Sequence, residues 1–239
     1  MSAIVPAGQR RPPGDRGVPP PETGDHLSRE EFFRRCEAHP EIPHVERIEG
    51  VVYVAAALRL DQHAEPHSDL IAWLNTYRSK TRGLRIGTAA TTKLDIKNDF
   101  QPDGVLFVPK RLGGQADVDA RGYIIGAPDL AAEVSASTAS MDLQTKKTVY
   151  RRNGVREYLV WRVEEDAIDW FALQNGEYVL IAANESEVLR STIFPGLWLD
   201  VPALIDGDLQ RVLETLNEGL ATLEHAAFAQ SLRERGGKS

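Results

Sequence analysis

A glutamate stands inside an apolar run, Leu130-Ala131-Ala132-Glu133-Val134. The run is short and bounded by turn-forming residues, so it reads as a buried strand. Glutamate is rarely buried without a partner. Either Glu133 faces water from a one-sided strand, or the fold brings a compensating charge to it, and a metal ion would serve. A second acid, Asp103, follows Pro102 and opens the strand Gly104–Val108. Proline has no N–H to give to a ladder and favours strand starts, which places Asp103 at a rim open to solvent, unless it is simply a turn acid. Residues i and i+2 of a strand share a face, so Glu133 shares its face with Ser135 and any cation must come from elsewhere. Lys146 qualifies. It lies one turn after Asp142 on the helix expected over Asp142–Arg152, and its side chain can reach back to the strand end. The alternative is an ordinary Asp142–Lys146 pair on a helix surface.

Two carboxylates and a lysine near one point form a minimal kit for phosphodiester chemistry. Magnesium takes hard oxygen ligands, often one or two carboxylates with several waters. Such an ion polarises a phosphoryl oxygen and lowers the pKa of a bound water. The expectation is that Asp103 and Glu133 hold Mg²⁺ or Mn²⁺ while Lys146 steadies the developing charge. Lys146, Lys147, Arg151, Arg152 and Arg156 make the densest basic segment, with Lys147, Arg151 and Arg152 as candidate DNA phosphate contacts. A solvated helix face is the plainer reading of those three.

The rest of the chain frames this stretch. Residues 1–25 are rich in proline and glycine and are expected to be disordered. Ser28 with Glu31 forms a capping box for a short helix. Strands follow at Glu46–Ile48 and Val51–Ala55 around Gly50. A helix over His67–Lys80 carries Leu70, Ile71, Leu74 and Tyr77 on one face, with Trp73 bordering it. Strands are expected at 84–89 and 92–96, then a polar loop over 109–122, a strand over 158–163, and a hairpin about Asn175-Gly176. Leu209, Leu213, Leu216, Leu220 and Leu223 step by 4, 3, 4, 3, the seam of one long amphipathic helix. That seam either packs on its own domain or supports a homodimer. The expected organisation is therefore a tail (1–25), an α/β domain with a mixed central β-sheet flanked by helices (26–206), a C-terminal helix (207–232) and a disordered end (233–239).

Composition limits the function classes. The chain has 239 residues and a net charge of −7, which argues against a nonspecific nucleic-acid coat but not against a nuclease with acidic ligands. No apolar run reaches membrane-spanning length. No secretory signal is apparent, and the lone Cys36 cannot form an internal disulfide, so a cytoplasmic, membrane-free protein is expected.

The ordered series Pro102-Asp103, Ala127-Pro128-Asp129-Leu130, Glu133-Val134, Asp142, Lys146, Tyr150 and Gly154-Val155-Arg156-Glu157-Tyr158 resembles the Uma-two family of putative restriction endonucleases, within the PD-(D/E)XK nuclease superfamily. Glu46-Arg47-Ile48-Glu49-Gly50, Arg190-Ser191 and Phe194-Pro195-Gly196-Leu197 fit as well, and the resemblance covers about residues 28–205. It implies a restriction-endonuclease-like core, a divalent metal and DNA hydrolysis. Asp103 and Glu133 fall at the motif acids and Lys146 at a lysine moved from strand to helix. Glu46 matches an early acidic position, a candidate accessory ligand, and His67 a histidine position at the start of the first long helix. The stretch Glu133-Val134-Ser135-Ala136-Ser137-Thr138 is one residue shorter than in many members, which bears on Ser135 and the reach of Lys146. The competing expectation is a catalytically silent nuclease-like fold that binds nucleic acid or protein.

Overall fold

The computed structural model describes residues 17–55, 59–135 and 141–237. Two six-stranded sheets replace the single central sheet expected. The first contains β1 (Val45–Ile48), β2 (Val51–Val54), β4 (Thr92–Asp95), β5 (Asn98–Phe100), β7 (Asp117–Val118) and β8 (Ile124–Ile125), in the order β2-β1-β5-β4-β8-β7. The second contains β3 (Arg85–Gly87), β6 (Gly104–Phe107), β9 (Leu130–Ser135), β10 (Glu157–Arg162), β11 (Ala167–Gln174) and β12 (Glu177–Leu180), in the order β12-β11-β10-β9-β6-β3. Among the described residues the chain changes sheets five times, and one of these crossings is at Gln101-Pro102-Asp103, between β5 and β6. Pro102 cannot donate to a ladder, so the strand run breaks there and resumes in a different sheet. The polar loop over 109–122 also gives up two residues to β7.

Helix α1 (Arg29–Ala38) opens at the expected N-cap, with the Glu31 N–H donating to Ser28 Oγ at 3.2 Å, while the Glu31 side chain accepts from Arg34 and Arg35. Helix α2 (Glu65–Lys80) is preceded by a π-helical turn over Leu60–Ala64. Its Leu70, Trp73, Leu74 and Tyr77 are fully buried. Trp73 therefore lies inside the packed face and not at its border, edge-on to Trp170 of β11 with ring centroids 5.7 Å apart. A second π-helical turn, Asp142–Lys146, leads into α3 (Lys147–Arg152). This turn and helix connect β9 to β10, which pair in parallel, Glu133 opposite Val160.

The termini depart from expectation. Residues 17–25 pack on the first sheet: the Gly24 N–H donates to Val52 O at 2.9 Å, and Asp25 pairs with Arg35 at 2.8 Å. Tertiary contacts here override a composition that favours disorder. Residues 1–16 lie outside the described residues. At the other end a hairpin of β13 (Val188–Arg190) and β14 (Trp198–Asp200) and the short helix α4 (Val201–Ile205) precede two helices, α5 (Leu209–Leu220) and α6 (Leu223–Gly236), where one was expected. Thr222 caps the second by accepting from the His225 N–H at 3.3 Å. The expected disordered end from 233 is helical through Gly236. Leu216 is fully buried, and Leu209, Leu213 and Leu220 pack against the same core, while Leu223 is exposed. The seam thus faces the molecule's own interior.

Candidate active site

The strand register sets the centre. β6 and β9 run antiparallel with Gly104 opposite Ala132. Extending that register by one residue puts Asp103 opposite Glu133, and directly opposed residues share a face of a sheet. Asp103 Oδ2 accepts the Val134 N–H at 2.7 Å, which fixes the carboxylate against β9. Its Oδ1 lies 3.3 Å from His63 Nε2. Burial alone would raise the Asp103 carboxyl, but the bond and charge of His63 and the Val134 N–H hold it below the usual carboxylate range.

Glu133 is 4% exposed, and burial pushes its carboxyl well above the usual range against the pull of Lys146. Its Oε1 accepts from Lys146 Nζ at 3.2 Å and from the Tyr150 hydroxyl at 3.0 Å. Lys146 is buried too, and its Nζ also meets Glu46 Oε2 at 2.9 Å and Asp142 Oδ1 at 3.5 Å. Burial by itself favours the neutral amine, yet Glu133, Glu46 and Asp142 together outweigh it and hold the ammonium charged. The buried glutamate and the buried lysine therefore explain each other. The lysine arrives here because Asp142–Lys146 is a π-helical turn, a geometry that recurs at functional sites.

Three elements supply the supports. Glu46 comes from β1 of the first sheet, and its Oε1 accepts the Gln101 N–H at 2.7 Å. Asp142 accepts from the Ser135 hydroxyl through its carboxylate, and its backbone carbonyl accepts from the Tyr158 hydroxyl at 3.1 Å. His67 meets the backbone of Asp103, not its carboxylate: Nε2 lies 3.0 Å from Asp103 O and 3.0 Å from Thr88 Oγ.

The structure thus gathers Asp103, Glu133, Lys146, Glu46, Asp142 and Ser135 at one place, with His67 behind Asp103. The expected phosphate contacts are engaged elsewhere. Lys147 Nζ sits 3.5 Å above the Phe171 ring. Arg151 pairs with Glu177 at 2.5 Å, and Arg152 with Glu49 at 2.5 Å and Asp95 at 3.1 Å. Two further side chains join the site: Tyr150, a member of the motif series with no role assigned by it, and His63, which lies outside that series. His63 and His67 stand four apart, the spacing that puts two side chains on one helical face, and that signal was available. The Nδ1 of His63 is buried without a hydrogen-bond partner among the described residues.

The family pattern described as "Putative restriction endonuclease", Uma2, matches residues 29–202. The chain belongs to the Uma2 family. Every residue of the cluster lies inside the matched region. The fold is similar to the crystal structure of a "putative nuclease belonging to DUF820" from Anabaena variabilis, with a TM-score of 0.54 and 16% identity, over 76% of this chain and 98% of that one. No curated protein matches. Among the described residues no helix is long and apolar enough to cross a membrane.

The donor set can be tested against a divalent cation. Among the described residues, no group of three or more histidine, cysteine, aspartate or glutamate side chains is arranged as a metal cage. A magnesium ion that keeps several waters needs only one or two carboxylates. The opposed acids Asp103, its side chain 17% exposed, and Glu133, which is buried, offer that hard-oxygen set, and the residue types fit such an ion.

Proposed function

We propose that this chain is a metal-dependent endonuclease that hydrolyses DNA phosphodiester bonds. The observation that supports it most is the convergence of Asp103, Glu133 and Lys146, from a strand start, a strand and a π-helical turn, in a chain of the Uma2 family. Asp103 and Glu133 would hold Mg²⁺ or Mn²⁺. When bound, the ion would supply a polarised phosphoryl oxygen and a water of lowered pKa. The Val134 N–H and His63 orient Asp103, and Tyr150 orients Glu133. Lys146, held charged by Glu46, Glu133 and Asp142, places a positive charge where a phosphoryl oxygen gains negative charge. His67 secures the Asp103 backbone.

The test is cleavage of plasmid DNA with Mg²⁺ or Mn²⁺ by wild type and by Asp103→Ala, Glu133→Ala and Lys146→Ala. The expected result is loss of nicking in all three. Equal nicking by wild type and variants rejects the assignment.

One observation favours a second reading, a silent nuclease-like fold that binds nucleic acid or protein. Lys146 already neutralises Glu133 without any ion. Calorimetry with Mn²⁺ separates the two: saturable heat that disappears in Glu133→Gln supports the enzyme, and its absence in wild type supports the silent fold.

A further inference from the structure

The cations near the candidate site are neutralised within the chain, and so are Arg156 by Asp129 and Lys93 by Asp119. A different group of cations gathers away from that site. Lys80 ends α2, Arg82 lies in the turn after it, and Arg85 opens β3. Lys110 and Arg111 follow the end of β6 in a single 3-10 turn. Arg233 and Arg235 lie in the last turn of α6. All seven are exposed. Among the described residues, Lys80, Arg82, Arg85, Lys110 and Arg111 form no ion pair.

These three segments meet. Arg85 is paired with Phe107 across β3 and β6. A Cβ at Gly83 would lie 3.0 Å from Leu112 and 3.5 Å from Leu232. Arg235 Nη1 donates to Leu112 O at 3.0 Å. The loop after α2, the turn after β6 and the end of α6 are therefore pinned to one another. Two helices, α2 and α6, end there, and the negative ends of their dipoles offset part of the repulsion among crowded cations. The single acid of these segments, Glu234, is hydrogen-bonded to Gln230. In a chain of net charge −7, such a one-sided concentration is a strong electrostatic feature.

The patch is remote from the candidate site. His67, near the start of α2, touches the Asp103 backbone, whereas Lys80 ends the same helix, roughly 20 Å away at 1.5 Å per residue. β6 gives a similar ruler, running from Asp103 toward Lys110 at about 3.3 Å per residue.

We infer that this end of the molecule is a docking surface for the sugar-phosphate backbone of duplex DNA, distal to the candidate active site. Arginines and lysines spread over three rigidly joined segments suit a repeating line of phosphates, and neutralising each phosphate releases a counterion. The choice of duplex DNA as occupant rests on the nuclease reading, but binding to the surface is measured without it.

The experiment follows fluorescence anisotropy of a labelled 30-base-pair duplex with the full chain in EDTA, so that cleavage plays no part. The variants are Arg82→Glu, Arg111→Glu and both together, with Lys97→Glu as a charge-matched reversal at an exposed turn elsewhere. Urea midpoints establish that each variant is folded. The expected result is about tenfold weaker binding for each patch variant, and a salt slope shallower by about 0.9 for each phosphate that the variant leaves unneutralised. Lys97→Glu should remain within about threefold of wild type, by the same electrostatic reasoning. The inference is overturned if wild type does not bind the duplex, if the patch variants are weakened no more than Lys97→Glu, or if an acidic polypeptide of equal charge competes as well as DNA. Retained duplex binding in a chain that shows no metal-dependent nicking would reject the nuclease reading and leave this surface standing.

Discussion

Replacing Lys146 by methionine tests the centre of the site without any assumption about catalysis. The substitution keeps an unbranched side chain of similar length and removes the charge together with the N–H donors that bond Glu133. At the effective dielectric typical of proteins, the contacts to Glu46 at 2.9 Å and Glu133 at 3.2 Å each carry a gross attraction of about 5 kcal/mol. Most of that is offset by the cost of burying the ions. The variant loses the attraction and keeps the buried carboxylates, so the expected loss of stability is about 3–5 kcal/mol. Glu133→Gln removes one of those buried carboxylates and keeps an oxygen for the Tyr150 hydroxyl. The double variant Glu133→Gln/Lys146→Met should therefore be more stable than the sum of the single losses implies, by about 1–3 kcal/mol. Urea unfolding at neutral pH in EDTA, followed by tryptophan fluorescence, measures all four proteins. A Lys146→Met protein within about 1 kcal/mol of wild type, or strictly additive losses, would show that the buried ion cluster is not what holds this corner together.

Three more perturbations are informative. Glu157 is fully buried, its Oε1 accepting from the Thr192 N–H at 2.6 Å and its Oε2 from Trp170 Nε1 at 3.1 Å. Glutamine in either orientation turns an NH₂ toward one of these fixed N–H groups, so Glu157→Gln should cost about 1–3 kcal/mol in urea unfolding despite its matching shape, and an unchanged midpoint would contradict that. Gly219→Ala should destabilise although alanine favours helix: the new Cβ would come within 2.3 Å of Gly196 O, and the resulting overpacking, about 1–3 kcal/mol, exceeds the propensity gain. A raised melting temperature would count against this packing. Asp95 is held down to about 2: burial opposes the shift, and Asn153, Asn98, the Lys97 N–H and Arg152 outweigh it. A depressed carboxyl stabilises the fold above its unfolded pKa and loses that contribution as pH falls from about 4 to 2, here about 1 kcal/mol after allowing for solvent screening. Asp95→Asn should flatten the acid limb of the stability curve, and equal slopes for both proteins would refute the assignment.

Some of the site could be read along the chain because its signals were local. Glu133 announced itself by interrupting an apolar run, Asp103 by following Pro102, and Lys146 by its spacing from Asp142. What could not be read was the company these residues keep. Glu46 reaches Lys146 only because two sheets meet, and Tyr150 reaches Glu133 only because α3 folds back across β9. The same limit explains the basic residues. Lys147, Arg151 and Arg152 look free in sequence because Phe171, Glu177, Glu49 and Asp95 are distant along the chain, whereas the cations of the distal patch are scattered and gather only when two helix ends and a turn come together. At the C-terminus the 4-3-4-3 leucine spacing continued across a real break, and Gly219 with the capping residue Thr222 marked it.

The transfer of the chain at Pro102 has a consequence for how the site works as a machine. Glu46 rides on one sheet, while Glu133 belongs to the other and Lys146 to the turn that leads out of it. Any displacement of one sheet against the other would act on the Glu46–Lys146 link, whereas the Asp103–β9 bond lies within the second sheet. Arg152, paired with Glu49 and Asp95, ties the same two halves, so anything that spans both sets the tension on several ion pairs, the lysine's among them.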